Sequence, residues 1–351
     1  MYKDIWLFID RPDRADDNAE HLYRYIKENR ISKNIYFILD KSSMDWERLY
    51  DEGFNLVSYG GLRHLILYIS ARLLISSHLP KYDFRFIHKR ILKKIIHFKF
   101  IFLQHGVNQN SIYHILNRHK IEVLICSSFY EYREFLSNPK YKNLNSNNLI
   151  LTGLPRFDRL LSLKLNREKQ LIIAPTWRSY LDNEDDFFRI WSNFLNSSKF
   201  YQILKKYNYR VLFYPHTELK SYLKRFDIPN FIQTPIEKNI QELLVKSNIM
   251  ITDYSSVAFD MGIQYKPIIY FQFDRDKFFS EHLYKEGYFD YKRDAFGKVC
   301  SNIDTLLLEI ERLLKRDGEL ENSYYQKIEK TFAFIDTNNC KRVLEKINEI
   351  R

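Results

Sequence analysis

The sequence predicts an α/β protein made of two doubly wound, mostly parallel sheets. Three observations carry that expectation. Short apolar runs alternate with amphipathic stretches along the chain, a polar and charged tract after Asp158 interrupts the alternation up to Lys169, and 351 residues with 45% hydrophobic content exceed one ordinary core. Two domains of about 150 residues each fit that length, with the boundary placed at residue 160, giving 1–160 and 161–351.

In the first domain, candidate strands stand at Ile5–Ile9, Ile35–Leu39, Leu56–Tyr59, Phe100–Gln104, Val123–Cys126 and Leu149–Leu151. Helical patterns cover Asn18–Lys27, Leu62–Leu74 and Tyr130–Leu136. The second domain repeats the rhythm with strands at Leu171, Val211, Phe231, Ile249 and Ile268, and helices over Phe187–Tyr207, Ile236–Lys246 and Val257–Ile263. Two such sheets are expected to face one another across a cleft. Ligands of these sheets bind outside the carboxyl ends of the strands, so loops that follow strands are read first for function.

Composition narrows the class. Three scattered cysteines, Cys126, Cys300 and Cys340, are too few for a disulfide framework or a zinc cluster and favour a reducing, cytoplasmic setting. The N-terminal apolar run is too short for a signal peptide, and the longest later run is broken by Arg72 and His78, so no span of a membrane is expected. A net charge of +11 predicts attraction to phosphates, nucleic acid or an anionic bilayer. Basic residues cluster between Lys81 and Lys99, with Phe84, Ile87, Ile91, Ile95 and Phe98 at helical spacing among them. That segment is either a helix docked on the core or a contact with an anionic membrane surface.

Five loops after strands carry the candidate chemistry. Gln104-His105-Gly106-Val107-Asn108-Gln109 offers a histidine at a strand end, suited to a general base, and a glycine that lets a ligand approach. Thr152 to Asp158 places Arg156 at the domain junction, where a guanidinium suits a phosphate or a salt bridge. Ala174-Pro175-Thr176-Trp177-Arg178 supplies backbone, hydroxyl and guanidinium donors, and Tyr214-Pro215-His216-Thr217 supplies a second histidine. In the fifth loop, Asp253 and Ser255 are placed at the N-cap of a helix, and Ser255 and Ser256 offer hydroxyls beside its first N–H groups. Alone that is a capping signal. Asp260 lies one helical turn beyond Ser256 and suits the hydroxyls of a polyol or ribose, or a buried acid on neighbouring backbone. Donors outnumber acids, which fits a pyrophosphate rather than a metal, and no metal or cofactor is expected. Asp274-Arg275-Asp276 is read as a charged loop. No P-loop, Gly-x-Gly-x-x-Gly, Gly-x-Ser-x-Gly or His-Glu-x-x-His occurs, so ATPase, dehydrogenase, serine hydrolase and zinc protease readings fall. No nucleic-acid module is visible, and specific nucleic-acid binding is not expected.

Taken in order, these loops resemble the CDP-glycerol glycerophosphotransferase family, which primes or polymerises teichoic acids and some phosphate-containing capsules. The resemblance covers nearly the whole chain: Asp16 to Ile26 is similar to an early Asp-Asn helix, Gln104-His105-Gly106 to the His-Gly loop, and Thr152 to Asp158 to the Gly-x-Pro-Arg-x-Asp turn. Ala174 to Arg178, Thr252 to Asp260 and Asp336 to Val343 complete it. Two positions depart from the pattern: Asn110 where a lysine is frequent, and Tyr214 where an arginine is frequent.

The resemblance implies a GT-B-like fold and transfer of glycerol phosphate from CDP-glycerol to a hydroxyl of a lipid-linked or polymeric, polyanionic glycan, releasing CMP. It implies His105 as catalytic base and the donor pyrophosphate near His216, Ser255 and Ser256. Gly106 to Gln109, Arg156, Pro175 and Thr176 would complete the donor pocket, with Asp260 on glycerol or ribose hydroxyls. Arg178, Tyr214, Pro215 and Asp253 are counted with that pocket. The implied location is peripheral, on the inner face of the cell membrane. The long N-terminal region of the larger polymerases is absent, which suits a primase or a compact capsule enzyme. The alternatives are a CDP-ribitol or other CDP-polyol phosphotransferase, and a GT-B glycosyltransferase using a nucleotide sugar.

Overall fold

In the computed structural model, the structure describes residues 4–31, 33–80, 84, 87–181, 185–235 and 239–350. The chain divides into two compact units, one of Met1–Val107, Tyr113–Ser162 and Ala333–Arg351, the other of Asn108–Ile112 and Leu163–Phe332. Each is built on its own parallel sheet.

In the first unit the strands are β1 (Ile5–Ile9), β2 (Asn34–Leu39), β3 (Leu56–Ser58), β4 (Leu73–Ser76), β5 (Lys99–Phe102), β6 (Val123–Cys126) and β7 (Leu149–Leu151), in the order 3-2-1-4-5-6-7. The second unit contains β8 (Glu168–Ala174), β9 (Arg210–Phe213), β10 (Ile232–Gln233), β11 (Ser247–Thr252), β12 (Ile268–Phe271) and β13 (Gly297–Cys300), in the order 10-9-8-11-12-13. The central strands are apolar on both faces because helices cover both. Ile5, Leu7 and Phe8 of β1 and Ile249, Met250 and Ile251 of β11 are completely buried. Strand order reverses between β1 and β4 and again between β8 and β11. At such a reversal the loops leaving the two strands diverge and open a crevice at the carboxyl edge. These are Rossmann-type sheets, and the two together give a GT-B-like fold.

Several expectations need correction. The helix read as Leu62–Leu74 is Leu62–Ser70, because Ala71 turns extended at φ −66°, ψ 139°. The residues after it form the central strand β4, missing from the sequence reading, as is β13. Phe187–Tyr207 is two helices, Asp185–Leu195 and Ser198–Tyr207, with the Ser197 hydroxyl accepting from Phe200 N at 3.4 Å. Ile236, read as a helix start, lies outside the described residues, and the helix there is Ile240–Lys246.

The C-terminal segment, assigned above to the second domain, belongs to the first unit. Its helix Asn339–Asn348 docks through Asp158, whose carboxylate accepts from Asn339 N and Cys340 N, each at 2.8 Å. Gly153 makes the approach possible: its φ is +80°, and a Cβ there would lie 1.9 Å from Asn339 Oδ1.

Candidate functional site

At the carboxyl edge of the first sheet, the loops after β1, β4 and β5 bring Asp10, Asp17, His78 and His105 together. Asp17 is the N-cap of the helix Asn18–Glu28. His105 Nδ1 meets Asp17 Oδ2, and Asp17 Oδ1 accepts from Arg156 Nη1 at 2.8 Å. Arg156 Nη1 also donates to the His105 carbonyl, while Arg156 N donates to Asn18 Oδ1 at 3.1 Å. The His105 side chain is 51% exposed and that of Asp17 only 8%. His105 thus presents one ring edge to a buried carboxylate and the other outward.

The turn that does this is held from three sides. Gln104 adopts a left-handed φ of 58°, a conformation that costs a non-glycine residue about 1 kcal/mol or more. Its amide donates to Ile125 O at 2.7 Å and to Glu131 at 3.1 Å, and its carbonyl accepts from Asn18 Nδ2 at 2.7 Å. Beneath it, Asp10 accepts from Asp17 N, Ala19 N, Glu20 N and the Ser77 hydroxyl. Burial, and then the Asp17 charge, push the Asp10 carboxyl upward. For Asp17, burial acts in the same direction but is outweighed by His105 and Arg156, which hold the carboxyl well below the usual carboxylate range. Both partners thus favour the ionised form of Asp17.

Ligand atoms of Asp17, His78 and His105 lie within 4.8 Å of one another, a spacing a cation could bridge. The chemistry opposes it. Asp17 already carries the Arg156 guanidinium, and His78 Nε2 accepts from Arg11 Nε at 3.2 Å. A divalent ion there would lie beside two fixed positive charges.

At the carboxyl edge of the second sheet, Arg178 is completely buried, with Nη1 2.9 Å from Asp253 Oδ2 and Nε and Nη2 at 2.9 and 3.1 Å from the two oxygens of Asp274. Its guanidinium packs over Phe187, Tyr254 and Phe278 at 4.8–5.0 Å. Asp253 Oδ1 accepts from Thr176 N at 2.9 Å and Tyr254 N at 2.7 Å. One buried ion cluster therefore ties the loops after β8, β11 and β12 together. It also explains Asp274-Arg275-Asp276, which is the start of the helix Arg275–Glu281 and a partner for Arg178.

The sequence-predicted residues divide accordingly. His105, Gly106, Asn108, Thr176, Tyr214, His216, Ser255 and Ser256 are partly or fully exposed at the two edges. Ser255 Oγ accepts from Val257 N at 3.3 Å, whereas the N-cap residue, Ser256, makes no side-chain cap bond, so the expected cap at Asp253 and Ser255 is shifted. His216 Nδ1 accepts from Glu218 N at 3.3 Å, and Thr176 Oγ1 has no partner among the described residues. Val107 and Pro215 are buried packing, and Pro175 is buried with its carbonyl accepting from His216 N at 3.1 Å.

Five of the residues expected as ligand contacts lie buried with partners of their own or within a helix. Arg178 and Asp253 are buried in their mutual ion pair. Arg156 is 5% exposed and bonded to Asp17, and Gln109 is 4% exposed with its amide donating to Tyr254 O at 2.5 Å. Asp260 is 4% exposed, inside the helix Val257–Gly262. In each case a short polar motif looked the same as sequence whether its side chain points to a ligand or beneath one. Asp17 was missed for the converse reason. An Asp before a helix reads as a cap, and nothing local signals its pairing with His105, 88 residues away.

Residues 1–349 match the family model for CDP-glycerol:poly(glycerophosphate) glycerophosphotransferase. The chain belongs to that family. Within it, the minor teichoic acid biosynthesis protein GgaB of Bacillus subtilis (strain 168) is 34% identical over 370 residues, covering 99% of this chain and 40% of GgaB. The teichoic acid ribitol-phosphate polymerase TarK of Staphylococcus aureus (strain NCTC 8325 / PS 47) is 24% identical over 212 residues, 55% of this chain and 38% of TarK. This glycerophosphotransferase-family chain thus spans less than half the length of either relative. The wall teichoic acid polymerase TagF shares the fold, with a TM-score of 0.72 at 20% identity over 99% of this chain and 88% of the TagF chain.

Arg178 gives a direct test of the buried-cluster assignment. Arg178→Gln strands two buried carboxylates and is expected to cost about 3–5 kcal/mol, read as a lower thermal midpoint. An unchanged midpoint with weakened nucleotide affinity would return Arg178 to the ligand.

Proposed function

We propose that the protein transfers glycerol phosphate from CDP-glycerol to a hydroxyl of a lipid-linked or polymeric glycan in teichoic acid or capsule synthesis. The observation that carries this reading is His105, half exposed at the sheet edge with its inner nitrogen on an anionic carboxylate. In a family whose model is named for CDP-glycerol, an imidazole so held suits removal of a proton from an acceptor hydroxyl.

The acceptor oxygen attacks the β-phosphorus of CDP-glycerol, the bond to the bridging oxygen breaks, CMP leaves, and a phosphodiester forms. The hydroxyl proton passes to His105 Nε2. On the second unit, Thr176, His216, Ser255 and Ser256 are the donor-binding groups, their hydroxyls and imidazole stabilising charge on the phosphates. Gly106, Asn108 and Tyr214 belong to the same reading as contacts of the reacting groups. Removing the base, His105→Ala, is expected to lower turnover by about 10²–10⁴-fold with CDP-glycerol affinity retained. Unchanged turnover would remove His105 from this role. A second reading, CDP-ribitol as donor, is favoured by the similarity to TarK. The two donors differ only in the polyol, ribitol being longer than glycerol by two hydroxylated carbons.

We also propose that the acceptor is met at an anionic membrane surface. No helix among the described residues is long and apolar enough to cross a membrane. The basic segment instead contains the helix Lys89–Ile95, in which only Leu92 is buried. Ile91 and Ile95 are exposed beside Lys89, Arg90, Lys93 and Lys94, whereas Phe84 and Phe98 of the same apolar set pack against Tyr68. Lys81, Asp83 and Arg85 lie outside the described residues. Apolar and cationic side chains on one exposed turn suit lipid tails and headgroups together. Charge reversal at Lys89, Arg90, Lys93 and Lys94 is expected to abolish sedimentation with phosphatidylglycerol vesicles. Retained binding would rule this helix out as the anchor.

A further inference from the structure

We infer that Asp17 is the positioning residue of the reaction, fixing which nitrogen of His105 carries the proton. The inference rests on the reading of His105 as base and deepens it. A neutral imidazole can accept a proton only at the nitrogen whose lone pair is bare, so a base working through Nε2 must hold its own proton on Nδ1. Asp17 Oδ2 lies against Nδ1, and an ionised carboxylate can only accept. The Nδ1–H tautomer is therefore selected, and Nε2 is left for the acceptor hydroxyl. When that proton arrives, the resulting imidazolium lies beside an anion, and Asp17 stays ionised throughout.

The surroundings keep Asp17 in that state and place. Arg156 Nη1 bonds Oδ1 at 2.8 Å, so the two carboxylate oxygens are divided between one guanidinium and one imidazole. Arg156 reaches across to the His105 carbonyl as well, which locks main chain and side chain of the histidine to the same two residues. His78 faces the pair with its ring centroid 4.7 Å from that of His105 and Nε2 3.8 Å from Asp17 Oδ2. Its Nε2 accepts from Arg11, so it does not compete for Oδ2 as a donor through that nitrogen. Asp10 supports the turn from below through Asp17 N at 3.1 Å. The arrangement has the form of an Asp-His dyad in which the acid touches no substrate atom.

The test has a part that needs no variant. In protein labelled with ¹⁵N-histidine, with His105→Gln to assign the resonances, long-range ¹H–¹⁵N spectra above neutral pH should show the His105 proton on Nδ1. A proton on Nε2 would overturn the inference outright. Asp17→Asn is the second part, since asparagine caps a helix as well as aspartate does. With CDP-glycerol and a synthetic lipid-linked glycerol-phosphate primer, its kcat for CMP release should fall at least ~10²-fold. Its KM for CDP-glycerol should stay within about twofold, and its His105 proton should no longer be confined to Nδ1. A kcat within about threefold of wild type, while His105→Ala is inactive, would overturn the role of Asp17 and leave the base assignment standing. Full activity in His105→Ala would instead remove the base reading itself. A loss in Asp17→Asn that appears equally in donor affinity would make Asp17 a structural residue and overturn the inference.

Discussion

A charge buried at the head of a sheet has to be paired where it stands, and both units are organised by that requirement. Stripping a carboxylate of water costs several kcal/mol unless a cation and hydrogen-bond donors replace the solvent. In the first unit Asp17 finds Arg156 and His105, and in the second Asp253 and Asp274 find Arg178. Each pairing joins loops that leave different strands, so satisfying the charge also fixes the loops. His105, exposed, and Thr176, His216, Ser255 and Ser256, half-buried, then sit on main chain whose path is already determined.

That division of labour explains what was legible in the sequence. The first parallel sheet could be read from apolar strands such as Ile5–Ile9, Val123–Cys126 and Leu149–Leu151, whose bounds agree with the structure because apolar runs of that length have few other uses. Strand β4 could not, since Leu73–Ser76 continues the apolar character of the helix before it and the break at Ala71 has no glycine or proline to mark it. The C-terminal helix was assigned to the wrong unit because its attachment is a contact between Asp158 and Asn339, 181 residues apart.

The candidate site was legible at the level of loops and less so at the level of side chains. His105 and the Ser255-Ser256 pair stand out because their residue types are uncommon as packing; His105 is exposed and the two serines are half-buried. Arg156, Arg178 and Asp253 carry the same chemistry as ligand-binding groups, yet they form the layer beneath. Whether an arginine meets a phosphate or a neighbouring aspartate depends on residues brought together by the fold, such as Asp274 for Arg178, 96 positions away. Asp17 shows the same limit from the other side, as a helix cap locally and a histidine partner only in three dimensions.

On the proposed function the edge of the second unit accepts a cytidine diphosphate polyol, and a thermal-shift titration of the intact protein reads that binding. Ligand at about 100 times its dissociation constant stabilises a protein by about 2.7 kcal/mol, enough for a clear rise in midpoint. CDP-glycerol, CDP-ribitol, CDP, UDP-glucose and GDP-mannose would be compared at matched concentrations. Stabilisation by the CDP compounds alone is the predicted result, with the difference between the two polyols naming the donor. A preference for UDP-glucose or GDP-mannose would overturn the proposed donor and point instead to a nucleotide sugar.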